Sequence, residues 1–336
     1  MVTIADVARH AGVSTSTVSY VLSGKRTISD DTRERVRHAV EALEYRPNAS
    51  ARALASRRVN ALALVAPFRA DNNVPVLLEF VASIAAAARE ADHDVLLVTQ
   101  EEGDEGLARI RDSSLVDAAL VMDLELNDAR LPILRSNGLP CVLIGYPADP
   151  GPLSCVDLDM HQAAVRAVDH LVDLGHRSIA MFGSPAAVYR RESTYAMRFA
   201  SGFEEGARRR DVVASWRAVD QSHEAAAAAV QELLTERPDV TGIVVHNEAI
   251  LPTVLSVLES RGRSVPDDMS IIALCPTDMA ENQRVPLTNI AVPAAEIGRI
   301  AVEMLLRRLD GVGGAEIRLL APELTVRSST SAPRIA

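Results

Sequence analysis

The groups in this chain that could ligate a metal or run a catalytic cycle are eight histidines, three cysteines and 45 acidic residues. His161, His170, His176, His223 and His246 form neither an H-E-x-x-H nor an H-x-x-x-H pair, so no two share a helical face as a zinc site needs. Cys141, Cys155 and Cys275 are odd in number and far apart, which argues against a disulfide framework or a C-x-x-C site. Gly183-Ser184-Pro185 is not a nucleophile elbow. No Gly-rich phosphate loop of the G-x-x-x-x-G-K-[ST] or G-x-G-x-x-G kind occurs. No nucleophile has a plausible base, so the expectation is a non-enzyme with no metal and no cofactor. A more promising group is a run of hydroxyls near the N-terminus. Thr15, Ser16, Ser19 and Tyr20 share the outer face of a short amphipathic stretch, with Ser14 and Thr17 beside them. Such a face can enter a major groove, bond base edges or phosphates, and set a threonine methyl against a thymine methyl. It also suits the plain polar surface of a three-helix bundle, and the pattern alone leaves both readings open.

The elements that must position these hydroxyls are short. Thr3 and Asp6 read as an N-cap with an acidic partner, and Ile4, Val7, Ala8 and Ala11 fall on one helical face. Gly12 breaks that helix with the positive φ of a tight turn. Ser14 caps a second helix whose inward stripe is Val18, Val21 and Leu22. Ser29 caps a third, with Val36, Ala39, Val40 and Leu43 inward. Two helices joined by a short glycine turn are the helix-turn-helix pattern. Pro47 then stops the chain and Asn48 caps a helix of two turns, too short to be stable alone in water. Its outward residues include Arg52 and Leu54, and a leucine between arginines suits an apolar wedge in a widened minor groove.

Charge agrees with this division. Residues 1–58 hold ten Arg/Lys against six Asp/Glu, while the chain as a whole has a net charge of −10. A small basic head on an acidic body places the anionic partner at the head alone. The chain lacks an apolar run of about 18 residues for a membrane span and a basic, then apolar, secretory start. A cytoplasmic protein without a membrane partner is expected. From Val59 apolar runs alternate with helical stretches: Ala61–Ala66, Val95–Val98, Ala118–Met122, Cys141–Ile144, Ile179–Phe182, Trp216–Val219, Gly242–Val245 and Ser270–Leu274. Buried strand runs between helices imply parallel sheets covered on both faces, in two α/β halves.

These residues carry a family resemblance. Thr3-Ile4-Ala5-Asp6-Val7-Ala8, Ala11-Gly12-Val13-Ser14, Thr17-Val18-Ser19, Val21-Leu22 and Tyr45-Arg46-Pro47-Asn48 resemble the head of the lactose-repressor (LacI) family. The likeness continues through Pro75-Val76-Leu77, Leu174-Gly175-His176-Arg177 with Ile179-Ala180, Gly202-Phe203, Asn247-Glu248, Val265 to Ile271, Pro286-Leu287-Thr288 and Pro322-Glu323-Leu324. It implies base reading by Thr15, Ser16 and Tyr20, phosphate contacts by Thr17 and Ser19, and Leu54 as a wedge at the centre of a palindromic operator. The expected DNA-contacting set is Thr3, Ser14, Thr15, Ser16, Thr17, Ser19, Tyr20, Asn48, Ser50, Arg52 and Leu54. Tyr20 stands where the family most often has arginine, so no bidentate guanine contact is implied.

For the body, the resemblance implies a type I periplasmic-binding-protein fold: two doubly wound α/β subdomains with crossings near Asp159, Ile290 and Ala321. The expected domains are a helix-turn-helix head at 1–46, a hinge at 47–58 and an effector-binding and dimerisation body at 59–332. Within the body, the N-subdomain is expected over about 60–158 and 291–320, and the C-subdomain over about 159–290 and 321–332. Ligands of open α/β sheets sit beyond the carboxyl ends of the strands, which selects Phe68, Arg69, Asp71, Tyr146, the stretch from Tyr189 to Arg198, Asn247, Glu248 and Cys275 with Pro276. Two departures bear on the ligand. Ala273-Leu274-Cys275-Pro276 lacks the family's sugar-clasping aspartate, and Phe199 stands where the family has its cleft arginine. Loss of both charged partners points away from a typical free sugar, or to a degenerate cleft. The expected function is an allosteric repressor, with a double-stranded operator, a second copy of the chain and a small-molecule effector, a sugar or other metabolite, as partners. No heptad-bearing tail follows Ala332, which favours a dimer over a tetramer. A solute-binding protein of transport and an α/β enzyme with an appended head are the alternatives. The head argues against the first, and the missing nucleotide loops and catalytic pairs against the second.

Overall fold

The computed structural model describes residues 2–23, 28–45, 58–71, 73–100, 104–113, 115–136 and 138–334. The chain divides into two compact units, Met1–Val59 and Asn60–Ala336.

The first unit is a helical head. Helix α1 (Ile4–Ala11) opens on a full capping box: the Thr3 hydroxyl accepts the Asp6 N–H, and the Asp6 carboxylate accepts the Thr3 N–H at 3.0 Å. Two of the donors that a helix start leaves orphaned are thereby satisfied. The Thr3 hydroxyl and backbone hold the Asp6 carboxyl below its usual range. Gly12 ends the helix at φ 65°, a left-handed conformation that costs an L side chain about 1–2 kcal/mol. Helix α2 (Thr15–Ser23) starts from Ser14, whose Oγ accepts the Thr17 N–H at 3.1 Å. Helix α3 (Asp30–Ala42) follows Ser29, whose hydroxyl donates to Thr32 Oγ1 instead of capping the backbone. Val7, Val18, Val36 and Ala39 form the core, which Tyr45 closes. Leu22, read from sequence as inward, is 40% exposed. Val21 and Leu22 flank Val18 on opposite sides of the helix, and Val21 is the one that packs with Val18 on the head's core.

The second unit is built from two lobes. The first contributes β1 (Ala61–Val65), α4 (Val74–Glu90), β2 (Asp94–Val98), α5 (Asp104–Asp112), β3 (Ala118–Val121), α6 (Leu131–Ser136), β4 (Cys141–Ile144) and β5 (Ser154–Leu158). The second contributes α7 (Met160–Asp173), β6 (Ser178–Gly183), α8 (Ala186–Arg190), α9 (Thr194–Arg209), β7 (Val213–Ala218), α10 (His223–Glu236), β8 (Gly242–Val245), α11 (Leu251–Ser260), β9 (Ser270–Leu274), α12 (Thr277–Glu281) and β10 (Thr288–Ile290). The chain returns to the first lobe as α13 (Ala294–Leu309), which packs on α4, and β11 (Ile317–Leu320), and reaches the second again as β12 (Leu324–Thr325). It thus passes between lobes after Leu158, Ile290 and Leu320.

Both sheets have the same winding. Their orders are β11-β5-β4-β3-β1-β2 and β12-β10-β9-β8-β6-β7, and every pairing is parallel except β10 with β12. Strand order reverses between β1 and β3 in one lobe and between β6 and β8 in the other, the place where open α/β sheets bind ligands. The central strands β1, β3, β4, β8 and β9 are buried almost throughout, as expected for parallel strands with helices on both faces. The apolar runs read from sequence omit β5, α13 and the short strands β10, β11 and β12. In β5 the acid Asp157 interrupts the apolar run, yet the strand is buried along its whole length.

Close packing of α7 on α9 sets how the second lobe is assembled. Gly202 lies against the His161 carbonyl oxygen, and a Cβ there would strike backbone.

Candidate functional site

In the head, the capped start of α2 gathers the hydroxyls. Ser14 Oγ is 2.8 Å from both Ser16 Oγ and Thr17 Oγ1. Thr15, Ser16 and Tyr20 are exposed, Thr17 and Ser19 half-buried. The first N–H groups of a helix carry partial positive charge and favour an anion such as phosphate. The face therefore combines a helix start suited to an anion with exposed hydroxyl and phenol side chains. Thr3 stands at the start of α1, its hydroxyl engaged by Asp6. Asn48, Ser50, Arg52 and Leu54 lie outside the described residues.

In the second unit a cavity of about 180 Å³ lies between the lobes, at the carboxyl ends of both sheets. The first lobe contributes Asp71, Asn73, Asp123 and Asp157; the second contributes Ser184, Tyr195, Gln221, His246, Asn247 and Glu248. Leu77, Phe80, Met122, Ile144 and Met160 make an apolar wall. Several contacts tie the lobes together. Arg191 pairs with Asp71 and stands 3.7 Å from Asp123, which also pairs with Arg69. The Asn73 amide donates to Glu248 Oε1 at 2.6 Å and so, although it stands at the N-cap of α4, makes no side-chain cap. The Leu126 N–H donates to the Glu192 carbonyl and the Thr194 N–H to the Leu124 carbonyl, each at 2.9 Å.

Electrostatics inside the cavity are set by burial. His246 stacks on Phe199 with ring centroids 4.4 Å apart, and burial lowers its pKa to about 3, so it is neutral. Its Nδ1 shares a hydrogen bond with Ser184 Oγ at 3.3 Å. Burial pushes the Asp157 and Glu248 carboxyls up to about 7 and the Cys275 thiol up to about 12, so the thiol is unreactive at neutral pH. Asn247 is locked by donation to the Val219 carbonyl at 2.7 Å.

Of the cleft residues selected from sequence, Asp71, Asn247, Glu248, Cys275 and Pro276 line this cavity. Phe68, Arg69, Tyr146, Tyr189 and Arg198 do not. Phe68 is exposed, and its N–H continues the strand pairing towards Thr99 at the β2 side. Tyr146 lies beneath the Arg198 guanidinium, 4.2 Å from the ring centroid. Arg198 in turn donates to the carbonyls of Tyr146 and Pro147, at 2.9 and 3.3 Å. Tyr189 packs on Trp216, centroids 4.9 Å apart. Position after a strand was the only criterion for these five, and it does not say which way a loop side chain turns. Asp157, Asn73, Gln221 and His246 were missed as cleft residues, while Tyr195 lines the cavity from within the selected stretch 189–198. An acid inside a strand flanked by apolar residues was the available signal for Asp157.

Residues 3–48 match the model of bacterial regulatory proteins of the lacI family, and residues 168–330 match a periplasmic binding protein-like domain. Over 341 aligned positions the chain is 30% identical to the HTH-type transcriptional regulator CelR of Thermobifida fusca, covering 97% of this chain and 98% of that one. The chain belongs to the lacI family of bacterial regulatory proteins. As a lacI-family member it is a sequence-specific DNA-binding transcriptional regulator. Its fold is that of a solved CelR–cellobiose complex, at 28% identity and TM-score 0.69 over 98% of this chain and 100% of that one. The lac repressor dimer bound to operator and the anti-inducer ONPF superposes with TM-score 0.85 at 24% identity, over 98% and 99% of the two chains. These lacI-family relatives are regulators rather than enzymes. Among the described residues no helix is long and apolar enough to cross a membrane.

Proposed function

We propose that the chain is a cytoplasmic repressor, and not an enzyme, that binds a palindromic operator as a twofold dimer and is controlled by a small molecule held between the lobes. The observation that carries the DNA reading is the exposed hydroxyl-and-tyrosine face on α2, set at a capped helix start after the Gly12 turn. Thr15, Ser16 and Tyr20 read base edges, while Thr3, Ser14, Thr17 and Ser19 hold phosphates. Residues 1–46 are the reading head and 47–58 the hinge, in which Asn48, Ser50 and Arg52 meet the backbone and Leu54 wedges the minor groove. Residues 59–332 bind the effector and dimerise, divided at the three passages between lobes. Asp71, Asn247, Glu248 and Cys275 are the effector contacts among the residues selected from sequence. A twofold protein mirrors a twofold site. An effector that alters the lobe pose changes DNA affinity, and DNA changes effector affinity by the same factor.

Selection of bound duplexes from a random pool tests this. The expected product is a palindrome with half-sites about one helical turn apart. No preference over bulk DNA at moderate salt would end the reading. Leu54→Ala should weaken specific binding; unchanged affinity would remove the wedge.

A further inference from the structure

The lacI-family cavity described above has an unusual charge balance. Four carboxylates line it, Asp71, Asp123, Asp157 and Glu248, and among the described residues none of its lining is lysine or arginine. The two nearby guanidinium groups, Arg69 and Arg191, are engaged with Asp71 and Asp123. That leaves Asp157 and Glu248, one from each lobe. Asp157 is only 7% exposed. Its Oδ1 accepts the Leu158 N–H at 2.8 Å, and among the described residues Oδ2 has no protein partner. Arg198, the arginine nearest in its influence, donates to the carbonyls of Tyr146 and Pro147. Glu248 receives its own backbone N–H and the neutral Asn73 amide, but no cation. A buried carboxylate without a cation is costly and is stabilised by any group that brings positive charge to it.

The rest of the cavity limits that group. Its 180 Å³ is small, equal to about six waters at roughly 30 Å³ each. Leu77, Phe80, Met122, Ile144 and Met160 offer no hydrogen bond to a ligand that is polar all round. A polyol would lose its hydration against this wall without recompense, and a phosphorylated ligand would face like charge.

We infer that the cavity binds a compact aliphatic amine or diamine, its ammonium groups held by the carboxylates of Asp157 and Glu248 and its carbon body packed on Leu77, Phe80, Met122 and Ile144. This rests on the reading of the interlobe cavity as the effector site. That burial raises both carboxyls to about 7 agrees with two acids that lack a counter-ion. An arriving ammonium favours their charged forms.

The test uses the full chain and matched pairs of probes: diaminobutane against butanediol, and butylamine against butanol, with glucose as a polyol control. Thermal unfolding and calorimetric titration are run above neutrality. The amines should raise the melting temperature saturably and bind about tenfold or more tightly than the isosteric alcohols. Asp157→Asn and Glu248→Gln, both near-isosteric, should each weaken amine binding by about tenfold and leave alcohol binding unchanged. The inference is overturned if no amine binds, if alcohols or glucose bind as well as amines, or if both variants bind amine as before. DNA selection on the same preparation separates the two readings. A specific palindrome with no amine binding removes the amine alone, while absence of any duplex preference removes the regulator reading.

Discussion

Phe199 and Arg198 show how much one position on a helix decides. Phe199 is fully buried and stacks on the neutral His246, while its neighbour Arg198 leaves the cavity for two carbonyls. Phe199 does not itself line the cavity; it backs the lining residue His246 with an apolar ring where a guanidinium would have brought charge. Phe199→Ala should therefore cost about 3–5 kcal/mol of stability, the range for truncating a buried aromatic, read from chemical denaturation. Asp157 yields a pH signature. Burial holds its folded pKa at about 7, above an unfolded value of about 3.9. Arg198 lowers it and Asp159 raises it, without reversing the effect of burial. The folded chain thus holds that proton more tightly. The contribution is full below about pH 4 and is lost as pH rises to about 7. Asp157→Asn lacks this dependence, so its stability relative to the parent should climb across that window and then level. A constant difference would mean the carboxylate is hydrated. In the head, Tyr20→Ala should reduce discrimination at one base pair by about 1 kcal/mol, the worth of a single hydrogen bond, measured by competition between the selected operator and single-pair mismatches.

At the scale of elements, caps and glycines carry the local argument. The Thr3–Asp6 box was legible because it needs only two residue types three apart, and Thr3→Ala should cost the head about 1 kcal/mol, seen in its thermal unfolding. The Gly12 turn was legible for the same reason. Gly202 was not: its need for a missing side chain comes from the His161 carbonyl, 41 positions away in sequence. Gly202→Ala should push α9 off α7 and cost about 1–3 kcal/mol, with an equal loss in the longer Val variant counting against backbone contact. Strands with unbroken apolar runs could be read directly, as in β4, β8 and β9. Strand β5 could not, because Asp157 sits in its run and only the flanking strands and the cavity explain why an acid is there. Leu22 was misread because a helical stripe shows which side is apolar, not how wide the receiving surface is.

For the whole molecule, charge and lobe contacts make separate predictions. Because the basic residues concentrate in the head, log affinity for operator should fall linearly with log salt, steeply enough to report several phosphate contacts. The lobes are joined by Arg191 with Asp71 and Asp123, all largely buried. Arg191→Met leaves Asp71 uncompensated, while Asp123 keeps Arg69, and should destabilise the body by about 3 kcal/mol or more. It should also raise the radius of gyration in small-angle scattering; an unchanged radius would mean the remaining bonds, including those at Leu124 and Leu126, Asn73–Glu248 and Arg198 to Tyr146 and Pro147, keep the lobes together.

The sequence by itself determined the family, the helix-turn-helix head with its hydroxyl face, and the alternation that makes two parallel sheets. Those follow from caps, turns and periodicity, which act over a few residues. Only the tertiary structure decided which post-strand side chains meet in the cavity, that Arg69 and Arg191 are engaged with Asp71 and Asp123, and that Asp157 faces Glu248's cavity without a cation. Such choices depend on groups brought together from distant parts of the chain, where burial, not spacing, sets the electrostatics.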